Sequence, residues 1–234
     1  MAKTFSTRDV GICDHSRYNT DGMDLIIYIV LVIVVILFSM TFHEAMHGFV
    51  SYWLGDDTAR REGRLTLNPI KHIDPFLTLI LPLMLAVVGA PIFGGAKPVP
   101  FNPYNLRWSE WGVALVAIAG PLTNLLIAFV ATGVWVLVGM PVAESLAGRA
   151  LQLLIQVNLG FFVFNMIPIP PLDGSRVLYA LAPEPVQRGM QFIEQYGIFV
   201  VFGIVLIAGQ YLGVFIYSIV SWLFDLFVGL FQLI

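Results

Sequence analysis

The sequence holds one cysteine, Cys13, among 234 residues. A lone thiol excludes an internal disulfide and a thiolate zinc site. Charge is scarce too. Asp, Glu, Lys and Arg make up 12% of the chain, about half of the roughly 25% found in a soluble domain. Net charge is −3 and no basic block occurs, which excludes nucleic acid as a partner. No run of ten-residue segments alternates with period two, so a membrane β-barrel is not expected. There is no internal repeat and no low-complexity tract. The polar stretches are too short to build a soluble core of their own. Residues 1–23 are polar and mixed in charge. They lack the basic start of a cleaved signal, so targeting is expected to rest on the first apolar helix.

What the chain has in quantity is apolar sequence, 58% of it. It is arranged in runs that match the roughly 20 residues a helix needs to cross a bilayer. The fold class is therefore an all-α polytopic membrane protein. Five segments are long enough to span: 24–54, 111–139, 149–167, 191–208 and 211–232. A sixth, FLTLILPLMLAVVGAPIF at 76–93, is short and holds Pro82. It either spans or dips in and returns, giving five to six crossings. The chain divides into a polar segment, 1–23, and one membrane domain, 24–234, with a core at about 24–183 and a C-terminal helical hairpin at about 190–234.

The first apolar run ends in SMTFHEAMHGFVSYW, residues 39–53. His43, Glu44 and His47 read H-E-x-x-H. On a helix, residues i and i+4 share a face, so both histidines can reach one metal ion with Glu44 beside it. Imidazole nitrogens suit zinc, and the glutamate suits a general base acting on water. Ionisable residues are costly in a membrane and point to function there.

Two histidines need a third ligand. Asp173 lies in NMIPIPPLDG, where Pro168, Pro170 and Pro171 forbid a regular helix. An opened backbone can present a carboxylate at membrane depth if protein or a water-filled cavity surrounds it. Alternatively, Asp173 N-caps the short helix expected for GSRVLYALA. His72 is a rival ligand in the polar loop 54–75, without a geometric reason behind it. His15 is read as exposed. Gln210 and Asp225 are read as interfacial or packing residues.

HEAMH and NMIPIPPLDG together resemble the site-2 protease family of intramembrane zinc metalloproteases. AGPLTN (119–124) fits the Gly-Pro of that family's middle core helix, and GRLTLNP and AKPVPFNP resemble its short prokaryotic branch. The similarity covers about residues 40–180. It implies a three-helix catalytic core, one zinc ion per chain held by His43, His47 and Asp173, and Glu44 as the catalytic acid/base. It also suggests that Asn124 and Asn165 contact the substrate backbone or the developing oxyanion. An interhelical hydrogen bond is the alternative for each. The implied partners are the lipid bilayer and the transmembrane segment of a protein substrate. No PDZ insertion lies between 111–139 and 149–167.

Parity constrains the topology. Both metal motifs lie at C-terminal ends of helices, so 24–54 and 149–167 run in parallel and 111–139 runs oppositely. That makes 76–93 re-entrant or interfacial; the resemblance implies that GRLTLNP and AKPVPFNP are membrane-associated strands on either side of it. Arg60, Arg61, Arg64, Lys71, Lys97, Arg107, Arg176 and Arg188 then share the motif side; Lys3, Arg8, Arg17 and Arg149 face the other. The excess of Lys and Arg marks the cytoplasmic side. A prokaryotic cell-membrane protein is expected, with a cytoplasm-facing site, an exterior N-terminus and a cytoplasmic C-terminus. A metal-binding transporter or sensor is the competing class. Such proteins often carry inverted repeats, and this chain shows none.

Overall fold

A computed structural model of the chain describes residues 22–80, 95–140 and 145–233. Its long helices follow from the bilayer. With no water to satisfy them, apolar segments must bond their own backbone groups internally. Helix α1 is Gly22–Trp53. A four-residue helix, α2, follows at Thr58–Arg61. Single helical turns then occur at Pro69–His72 and Pro103–Asn105, with a wider one at Pro75–Ile80. Helix α3 is Ser109–Leu137, α4 is Leu146–Asn165, α5 is Asp173–Leu181, α6 is Glu184–Glu194 and α7 is Gly197–Gln232.

Among the described residues, four helices are long and apolar enough to cross a membrane: α1, α3, α4 and most of α7. This corrects the expected hairpin at 190–234. The segments 191–208 and 211–232 are not two separate helices. Residues 191–194 end α6, and from Gly197 the helix runs unbroken to Gln232. Gly209 and Gln210 suggested a turn. Glycine alone weakens a helix by about 1 kcal/mol, whereas proline costs about 3, and no proline interrupts α7. At 1.5 Å per residue, its 36 residues are about 54 Å long, well beyond a hydrocarbon core of about 30 Å. The start of α7 lies by the metal motifs, with Gly197 against Pro171, and its end reaches Gly133 through Phe231. The C-terminal end of α7 is thus far from the motif end, not beside it as the hairpin required.

Most of the expected re-entrant element, 81–93, lies outside the described residues, as do residues 1–21. The expected strands do not form among the described residues. GRLTLNP has a turn at Gly63 and a bend at Thr66, with no regular structure between them and Pro69. AKPVPFNP is extended but joins no ladder, because Pro98 and Pro100 have no N–H to give.

Helix α3 is the hub and packs against α1, α4, α5 and α7. Its inward side is rich in small residues, Ala114, Ala117, Ala119, Gly120, Ala128 and Ala131, which let helix backbones approach closely. An apolar cluster joins Ala128, Ala131 and Trp135 of α3 to Ile155, Leu159 and Val163 of α4 and Leu223 and Phe227 of α7. It forms the half of the bundle away from the motifs. Near them, buried polar groups lie beside a second apolar cluster of Leu54, Leu106 and Val116.

A polar layer covers that end. Asp56, fully buried, accepts hydrogen bonds from Thr58, from the Asn102 N–H at 2.8 Å and from the Asn105 amide at 3.0 Å. Burial alone would raise its pKa, but the hydrogen bonds from Thr58, Asn105 and Asn102 outweigh it and hold the carboxyl below its usual range. Buried Arg64 donates to the Lys97 carbonyl at 2.8 Å, and the Lys97 N–H donates to the His72 carbonyl at 2.9 Å. These bonds lay the extended segment 95–102 across the end of α1.

Candidate metal centre

The helical spacing does what it predicts. His43 and His47 sit one turn apart on the buried side of α1, 6% and 8% exposed, with ring centroids 4.7 Å apart. Each ring is fixed from behind. His43 Nδ1 lies 2.6 Å from Asn124 Oδ1, and His47 Nδ1 lies 2.7 Å from the Val116 carbonyl. Both partners only accept, so each Nδ1 carries the proton and donates it. Each Nε2 then presents a lone pair, as a metal ligand requires.

Asp173 meets them. The three prolines before it end α4 and turn the chain back, and Gly174 allows the turn to be this tight. A Cβ at Gly174 would lie 2.3 Å from the Met166 carbonyl oxygen. Asp173 opens α5, but its side chain makes no capping bond; Leu172 holds the N-cap position. Its Oδ2 lies 3.1 Å from His43 Nε2 and 3.6 Å from His47 Nε2. This oxygen is buried and has no hydrogen-bond partner among the described residues. Three lone-pair atoms facing one another repel unless a cation lies between them. Bonds of about 2.0–2.1 Å at tetrahedral angles place ligand atoms about 3.3 Å apart, and the two separations bracket that value. The residues present therefore fit a zinc ion.

Two more features shape the site. Gly120 of α3 closes one wall. A Cβ there would lie 2.5 Å from His47 Nε2 and 2.7 Å from His43 Nε2. Glu44, next to His43, has a carboxylate oxygen within 4.8 Å of ligand atoms of His43 and His47. Its Oε2 accepts a hydrogen bond from the Val99 N–H at 2.9 Å, so this oxygen already has a partner where Asp173 Oδ2 has none.

The other candidates fall elsewhere. Asn124 is fully buried behind His43, with its oxygen on the ring and its nitrogen 2.8 Å from Asn158 Oδ1. That is the interhelical alternative; its polar atoms face protein. Asn165 donates to the Phe161 carbonyl of its own helix at 3.0 Å. His72 is buried in the polar layer and bonds the Thr66 carbonyl at 2.8 Å, away from the centre. His15 lies outside the described residues. Sequence reasoning missed Val99, whose contribution is a backbone N–H with no side-chain signature. It also missed Asn158. An asparagine amid LLIQVNLGFF is subject to the same membrane-cost argument that singled out the histidines.

Fold and site define a class: a polytopic membrane protein with a buried histidine–carboxylate cluster of metal-binding type. A family model described as Peptidase family M50 matches residues 137–208. Relatives named "Putative zinc metalloprotease" extend the match. YwhC of Bacillus subtilis (strain 168) is 41% identical over 186 residues, covering 77% of this chain and 80% of the relative. Rip2 of Mycolicibacterium smegmatis is 32% identical over 197 residues, covering 84% and 73%. MJ0611 of Methanocaldococcus jannaschii is 34% identical over 137 residues, covering 58% and 63%. No solved structure matches significantly. The chain belongs to peptidase family M50, the site-2 protease family, and is an intramembrane zinc protease. A transporter or sensor is not favoured.

Proposed function

We propose that His43, His47 and Asp173 hold one zinc ion per chain, and that Glu44 is the acid/base for hydrolysis of peptide bonds in or near transmembrane segments of other proteins. The convergence of His43 Nε2, His47 Nε2 and the unpartnered Asp173 Oδ2 carries this reading. When bound, zinc supplies Lewis-acid polarisation of a carbonyl and makes water nucleophilic near neutral pH. Glu44 takes a proton from the attacking water as its oxygen bonds to the peptide carbon. It returns that proton to the departing nitrogen as the C–N bond breaks. The Val99 N–H holds one carboxylate oxygen of Glu44, which orients the group before the substrate arrives.

A transmembrane helix bonds its own amides, so the substrate must unwind locally to be cut. Segment 95–102, whose Val99 N–H meets Glu44, lies where such an unwound strand can pass. Asn165 can contribute its amide oxygen to that strand. The site faces the cytoplasm of a prokaryotic cell, on the side where Arg60, Arg61, Arg64 and Lys71 collect. The test incubates detergent-purified wild type and Glu44→Gln with single-span membrane substrates, with and without a zinc chelator. Cleavage by wild type alone, abolished by chelation and restored by zinc, is expected. Full cleavage by Glu44→Gln would remove Glu44 from its role.

A further inference from the structure

We propose that Asn158 is a positioning residue, which holds the Asn124 amide in the one orientation that makes His43 a metal ligand. This rests on the zinc-ligand reading of His43. An asparagine amide has an accepting end and a donating end, and rotation by 180° exchanges them. In the observed orientation, Asn124 Oδ1 receives the His43 Nδ1 proton at 2.6 Å, leaving the lone pair on Nε2. Reversed, the Asn124 NH2 group would face Nδ1. The imidazole could then pair with it only by moving its proton to Nε2, which removes the ligand.

Asn158 forbids the reversal. Its Oδ1 accepts from Asn124 Nδ2 at 2.8 Å. With Asn124 turned, two amide oxygens would face each other in a fully buried site. Asn158 cannot turn to relieve this, because its own Nδ2 donates to Ser39 Oγ and to the Leu154 carbonyl, both at 2.8 Å. Asn124 Nδ2 also reaches the Ser39 carbonyl at 3.4 Å. The chain runs from α4 through α3 to α1 and ends on the metal-facing ring. Ser39, Asn124 and Asn158 are all fully buried, so water cannot substitute for a missing partner. Groups that orient a ligating histidine typically change metal affinity 10–100-fold when removed.

The experiment measures zinc affinity of the detergent-purified full chain by competition with a chelator, and records the visible spectrum of the cobalt-loaded protein. Asn158→Leu is expected to weaken zinc binding about 10–100-fold and to alter the cobalt bands. Asn158→Ser should do the same. Its hydroxyl can satisfy itself on the Leu154 carbonyl, so it tolerates burial, but it is too short to hold Asn124. The double variant Asn124→Leu/Asn158→Leu should bind zinc no more weakly than Asn124→Leu alone, because Asn158 acts only through Asn124. A wild-type affinity and cobalt spectrum in whichever Asn158 variant is monodisperse would overturn the proposal. So would additive losses in the double variant. His43→Ala serves as the control: if it keeps wild-type affinity, the zinc-ligand reading fails rather than the role of Asn158.

Discussion

The two halves of helix α1 are built on opposite plans. From Leu25 to Phe38 the helix is apolar and faces outward, with Ile26 58% and Val34 56% exposed. From Ser39 to Ser51 polar groups point inward. Ser39 and Ser51 are fully buried, and Thr41, His43 and His47 are all below 9% exposure. In water this would be inside-out. In a bilayer, lipid tails solvate the first half as well as protein would, so its side chains gain little by packing. The second half must find partners for its polar groups: Thr41 and Ser51 turn back on carbonyls of α1 itself, Glu44 takes the Val99 N–H, and Ser39, His43 and His47 reach α3, α4 and α5. One continuous helix thus serves as an anchor over its first turns and as half of the proposed metal site over its last. Val35 is the one buried side chain in the first half, and continuous burial begins at Ser39.

The contrast predicts that substitutions in the second half are costly and those in the first half are nearly silent. The largest effect should come from Gly120→Ala on the facing wall. Its methyl would fall 2.5 Å from His47 Nε2 and 2.7 Å from His43 Nε2. One of the helices must move, and bound zinc and cleavage should both drop at least tenfold, read by metal analysis and substrate turnover. Retention of zinc by that variant would mean that α3 does not close the site.

Next comes Asp56→Ala in the layer that covers the polar end. It removes the acceptor for the Asn102 N–H and the Asn105 amide and should cost about 1–3 kcal/mol, seen as a lower unfolding midpoint in detergent. The pH dependence has a definite sign. The folded carboxyl titrates below its unfolded value, so its contribution is complete above about pH 4 and is lost as pH falls through the lower folded value. The gap between wild type and Asp56→Ala should close in acid. A gap that widens in acid would reverse the assignment.

The smallest effect belongs to the lipid-facing half. Ile33→Leu, at a residue 51% exposed, should change unfolding and cleavage by less than about 0.5 kcal/mol. A large effect there would identify a protein contact rather than a lipid contact.

The sequence carried the site better than the architecture. His43, Glu44 and His47 were legible because ligand spacing and membrane cost coincide in five residues. Asp173 stood out because three prolines break the helix before it, but the residues alone left it open between ligand and N-cap, and only the family resemblance chose. The supporting groups were harder to see. The Val99 N–H and the Val116 carbonyl are backbone, and no residue type marks them. Asn158 carried a usable signal, an amide within a membrane-spanning helix, but it shares that helix with Gln152, Gln156 and Asn165, and nothing in the sequence tells which neighbour each meets. The C-terminal hairpin failed for a different reason. Gly209 and Gln210 mimic a turn by composition, yet neither removes a backbone donor, so α7 continues through them. The strands expected in AKPVPFNP failed because prolines favour extended backbone while denying it a ladder, and side chains such as Arg64 hold the segment instead.

The central claim is that the buried half of α1 and the aspartate opening α5 make one metal site, with Glu44 beside it but not a ligand. Zinc per chain, measured by elemental analysis on purified wild type, Glu44→Gln and Asp173→Ala, tests it most directly. The account predicts about one zinc in wild type, the same in Glu44→Gln, and a loss of about 10–100-fold in affinity in Asp173→Ala. Asp173→Ala holding zinc as wild type does, or Glu44→Gln losing it, would contradict the account.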